Sequence, residues 1–144
     1  MSFKIKNQEV RVGKPKIQII KYKDQRFSFN FSFMTPRDEF NLSKRGKHIN
    51  KTIRVELINK IWRLSQDDIN TVLSYPKEIG LESLPIDTIQ IALNSEFEKS
   101  GRREDVDEFY WVFRLNKKGR VICMKQKHII YIISIDTQFK QYQH

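Results

Sequence analysis

The chain offers little of what redox, metal or covalent chemistry needs. It has one cysteine, three histidines, five glycines and four prolines among 144 residues. A lone Cys123 excludes an intramolecular disulfide and a cysteine-rich zinc site. Its neighbours Val121, Ile122 and Met124 predict a buried, inert thiol. His48, His128 and His144 are too scattered for a dedicated zinc centre. There is no glycine-rich phosphate loop, no HExxH and no GxSxG. The carboxylates show no spacing that would gather magnesium at strand ends. No metal and no cofactor are therefore expected. No run approaches the roughly 18 apolar residues of a membrane span, and MSFKIKNQEVRVGK lacks the apolar region of a signal peptide. A cytoplasmic protein without a membrane partner is expected. Repeats, low-complexity tracts and linkers are also absent, which predicts one domain over 1–144.

Basic charge is what the chain does have. Its net charge of +10 is concentrated at 1–26, 37–63 and 101–144, whereas 64–100 carries seven acids against two bases. A field of this sign attracts polyanions, and nucleic acid is the commonest in a cell. An acidic protein partner is the competing reading, and a merely solvated basic surface the third.

Hydrophobic periodicity divides the chain into an α+β order. Residues 16–23 (KIQIIKYK) and 26–34 (RFSFNFSFM) read as an N-terminal β-hairpin. The second run alternates, with Phe27, Phe29, Phe31 and Phe33 on one face, a buried core in preference to a base-stacking platform. Residues 49–64 predict one long helix, with Ile49, Ile53, Leu57, Ile58, Ile61 and Leu64 as its apolar stripe and Arg54, Lys60 and Arg63 on a basic outer side. Ser65, with Asp68 three residues on, predicts the start of a short helix that must end before Pro76. Residues 81–93 are ambiguous, since Ile86, Ile89 and Leu93 fit a helix while Ile89, Ile91 and Leu93 fit a strand, with a short extended segment the preferred reading. Residues 94–108 read as a charged surface loop.

The C-terminal third carries most of the functional signal. Strands are expected at 109–115, 120–125 and 128–135, with a short fourth run near 139–142, forming an antiparallel meander. Parity puts Phe109, Trp111, Phe113 and Leu115 on one side, and Tyr110, Val112 and Arg114 on the other. Helices packed on the greasier face would leave the opposite face, or the strand ends, free to bind.

The elements Phe113-Arg114, Gly119-Arg120, Ile135-Asp136 and Tyr142 to His144, with the central stretch IGLESLPIDTIQ, resemble the signature of a family of small bacterial and mobile-element proteins. That resemblance implies no particular activity. The arginine-bearing GRVICMKQKHIIYIIS and terminal KQYQH also resemble the RelE- and YoeB-type ribosome-dependent messenger-RNA endonucleases. This second resemblance implies helices packed on an antiparallel sheet, RNA as substrate ahead of DNA, the ribosome as a partner and an acidic antitoxin as another. It departs in having two strands before the first helix and an acidic centre.

RNA can be cut without metal when its own 2′-hydroxyl attacks the phosphorus, given a base, cations for the phosphorane and an acid for the leaving oxygen. Arg120 and Arg114 suit the phosphate. His144, with His128 behind it, suits proton exchange. Tyr142 could stack or donate, and Glu108 could act as base. Lys117, Lys118, Lys125, Lys127, Lys140, Arg54 and Arg63 would hold the nucleic-acid backbone. Each has a plainer reading: Arg120 as a solvated residue, Arg114 as cover for aromatics, His144 as a frayed end, Asp136 as the cap of a turn. The expectation is an RNA-directed protein acting as a toxin-like, metal-independent endoribonuclease. The alternative is a non-enzymatic nucleic-acid- or protein-binding factor of a phage or mobile element.

Overall fold

The computed structural model describes residues 25–142. The element order over them is β1 (Ser28–Asn30), α1 (Lys51–Leu64), α2 (Ile69–Ser74), β2 (Glu82–Pro85), α3 (Ser95–Lys99), β3 (Phe109–Arg114), β4 (Arg120–Gln126) and β5 (Ile129–Asp136). The five strands form one mixed sheet in the order β1-β5-β4-β3-β2, antiparallel except where β1 runs parallel to β5. The fold is α+β, as the periodicities predict. The expected first strand, residues 16–23, lies outside the described residues.

Both sheet faces are covered. On one, Phe113, Val121, Cys123, Ile130, Ile132 and Ile135 pack against Ile53, Leu57 and Leu64 of α1 and Val72 of α2. On the other, Tyr110, Val112, Ile122, Met124, Tyr131 and Ile133 meet Ile89, Phe97 and Val106. This second layer corrects two expectations. Residues 94–108 are not a surface loop: Asn94 accepts the amide of Glu96 and caps α3, and Phe97 is fully buried. The sheet face opposite α1 is therefore not free to bind.

Other boundaries shift for local reasons. Asn50 accepts the Ile53 amide, so α1 begins at Lys51. Ser65 closes α1 instead of opening the next helix, and Asp68 is itself the cap of α2, accepting from Thr71. The phenylalanine run is strand only at 28–30. Phe29 meets Phe113 edge-on at 6.2 Å, Phe31 is exposed, and Phe33 turns into the second core beside Phe97 and Tyr131. Residues 139–142 form no fourth strand.

A bulge in β5 decides the geometry of the strand ends. Cys123 pairs with Ile132 while Ile122 pairs with Ser134, which leaves Ile133 as the extra residue. The bulge resets parity, so that Ile135 faces the α1 side with Ile130 and Ile132, while Asp136 falls opposite Arg120.

Candidate nucleic-acid interface

Arg114 closes β3 and Arg120 opens β4, and the two are direct cross-strand partners. The hairpin between them is tight: Asn116 takes a left-handed φ of 54°, and its side chain, with Lys118, is tied to Glu56 of α1. Space at Gly119 is tight. A Cβ there would lie 3.0 Å from the Asp136 carbonyl and 3.2 Å from Thr137 Cα.

The chain after β5 is bent around the buried Asp136 carboxylate. One oxygen accepts the amides of Gln138 (3.1 Å) and Lys140 (3.2 Å), the other that of Gln141 (2.8 Å). Asp136 thus caps the turn, as its position after an apolar strand predicts. Ser134 donates to the Gln141 side chain at 2.5 Å, and Gln90 donates its amide to the Gln141 carbonyl. The turn carries Phe139 over the Arg120 guanidinium, 5.2 Å from carbon to ring centroid. It also lays Tyr142 against the second core. Burial raises the Tyr142 phenol above its ordinary range; the charges of Arg120 and Arg114 oppose the rise and Glu82 adds to it. Glu82 on β2 pairs in register with Val112, two residues before Arg114 on β3.

Arg114 also borders a small cleft with Glu56, Asn59, Lys60, Arg63 and Asn116. Lys60, expected on the outer side of α1, turns inward and donates to the Ile79 carbonyl at 3.0 Å. Burial, then the charges of Arg63 and Arg114, hold its ammonium below the ordinary lysine value. The result is a cationic strip of Arg63, Lys60, Arg114 and Arg120 running from helix to sheet end. None of the four forms an ion pair among the described residues. The Arg114 Nε is buried and makes no hydrogen bond there.

The structure thus brings together Arg114, Arg120, Tyr142 and Arg63 of the residues marked in the sequence. Others are elsewhere. Glu108 is exposed before the opposite end of β3, six residues and so about 20 Å of extended chain from Arg114. Lys125 is buried, bonded to Asp107 at 3.2 Å and set over the Trp111 ring, so it is structural and not available to nucleic acid. Lys127 lies in the β4–β5 turn at the far end of the sheet, with His128 beside it. Arg54 donates to the Leu42 carbonyl, and Lys140 pairs with Glu39 at 3.7 Å. Lys117 and Lys118 are exposed on the β3–β4 turn, at the same end as the strip. His144 lies outside the described residues. Lys60, Glu82 and Phe139 join the strip without a sequence motif; the packing of α1, the strand register and the Asp136 turn bring them in. Among the described residues no group of histidine, cysteine and carboxylate side chains is placed to hold a metal, and no helix is long and apolar enough to cross a membrane.

Comparison of the chain with protein-family models, with curated proteins and with solved structures gives no match in any of the three.

Proposed function

We propose that the chain binds RNA along the Arg63–Lys60–Arg114–Arg120 strip and cleaves it there without metal. One observation carries the reading. Two arginines are direct cross-strand partners, with two more cations beside them, and among the described residues none of the four forms an ion pair, the Asp136 carboxylate opposite Arg120 being taken up by backbone amides. Like charges in that register destabilise a sheet. Breaches of local rules of this kind are expected at functional sites, and the guanidinium forks of the two arginines suit a phosphodiester.

The chemistry balances on the side chains at hand. Glu82 takes the 2′-hydroxyl proton as that oxygen attacks phosphorus. Arg114 and Arg120 neutralise the phosphorane, and the 5′-oxygen departs with the Tyr142 proton. The products are a 2′,3′-cyclic phosphate and a 5′-hydroxyl. Phe139, over Arg120 at the rim, is exposed enough to stack on a splayed base.

A second reading, binding without cleavage, is favoured by the seating of Tyr142 against the second core, which limits its movement towards a leaving group. The two part in a single-turnover assay in EDTA, run with free RNA and with translating ribosomes. Wild type should yield cyclic-phosphate ends. Glu82→Gln and Tyr142→Phe should bind but not cut, and Arg120→Ala should do neither well. Binding without product in both conditions selects the second reading; no binding in either rejects both.

A further inference from the structure

Helix α1 has two apolar lines, and only one is buried. Ile53, Leu57 and Leu64 face the sheet. On the opposite side Val55, Ile58 and Trp62 are 50%, 59% and 65% exposed. With Lys51 one turn earlier they form a row at intervals of four, three and four residues, the spacing by which one helix seats another. Solvated helix faces do not ordinarily carry an isoleucine and a tryptophan in one line, and exposed tryptophan is among the residues most often central to protein interfaces.

The row has cationic borders. Lys51 is exposed at its start and Arg54 flanks it, while Glu56, the one acid of the helix, is already held by Asn116 and Lys118. We infer that this face docks an amphipathic helix of a partner protein, with apolar residues on Val55, Ile58 and Trp62 and carboxylates on Lys51 and Arg54. A second copy of the chain is opposed by like charge, each copy carrying +10. RNA is disfavoured because Val55 and Ile58 offer neither a charge nor a ring face. The row lies on the far side of α1 from Lys60, and without Arg63, which belongs to the strip, it could be occupied while RNA is bound.

A photo-crosslinking residue at the exposed Gln66, four residues after Trp62 and outside the cleft of the strip, in the full chain expressed in its own cell, tests this directly. The linked peptide is sequenced, and a synthetic copy of it is titrated against wild type and Ile58→Glu. The expected result is a linked segment with an apolar row and flanking Asp or Glu. Its affinity should fall about tenfold or more in Ile58→Glu, while melting temperature and RNA affinity stay at wild-type values. Links to RNA, to a second copy, to a basic or non-amphipathic segment, or to nothing overturn the inference, as does equal affinity for Ile58→Glu.

Discussion

Asp136 Oδ2 accepts the backbone amide of Gln141 at 2.8 Å, and that five-residue closure places residues 137–142. The carboxylate is fully buried and takes three amides in all. The turn it builds carries Phe139 and Tyr142 back beside Arg120. A positioning residue of this kind should act on stability and function together. Asp136→Ala should cost about 2 to 4 kcal/mol, since it strips charge-assisted bonds from buried donors, and should impair any RNA cleavage. Denaturant melts give the first number. A variant of wild-type stability would mean that the tail is held by something else.

The two sides of α1 provide a stability contrast. Leu57→Ala, at a 2% exposed site, should cost about 2 to 5 kcal/mol, and Phe97→Ala, fully buried in the second core, about 3 to 5. Ile58→Ala, on the exposed row, should change stability by about 0.5 kcal/mol or less. Equal losses at positions 57 and 58 would invert the helix orientation.

Lys60 gives a pH dependence. Its folded value lies below the ordinary 10.5 through burial and the nearby Arg63 and Arg114. A cation whose folded value is depressed penalises folding while it is charged, and the penalty lifts as pH rises through that value. Stability should therefore gain at alkaline pH from this residue, and Lys60→Met should remove the gain. Bound RNA should push the ammonium back upward. NMR titration of the lysine Cε signals checks both signs; an RNA-insensitive Lys60 would place the phosphates elsewhere.

Lys125 separates structural from binding cations. Its ammonium is committed to Asp107 and Trp111, so Lys125→Gln should lower the melting temperature and leave the salt dependence of RNA binding unchanged. A reduced salt slope would return Lys125 to the interface.

Much of this architecture was legible because period-two and period-3.6 patterns report burial directly. The residues 49–64 helix, the three C-terminal strands, buried Cys123 and capping Asp136 all follow from it. Three features escaped for physical reasons. The second covering layer hangs on isolated anchors, Phe97, Val106 and Ile89, in charged surroundings that mask them. The extra residue Ile133 lies within an unbroken apolar run, where a bulge leaves no trace. Ile58 and Trp62 match the helix period but extend past the arc that the sheet covers. For the site, Arg114 and Arg120 were marked by the hairpin, whereas Glu82 and Lys60 reach it only through register and helix packing. Glu108 looked adjacent in sequence, but a strand carries its two ends far apart.

The most direct measurement is RNA affinity as a function of salt for wild type and for the Arg114→Ala/Arg120→Ala double variant, with folding verified by thermal melts. Two lost phosphate contacts should weaken binding at every salt concentration and flatten the log–log slope by about 1.4 for single-stranded RNA. A folded double variant with wild-type affinity and slope would contradict the claim that the Arg114–Arg120 pair is where this protein holds RNA.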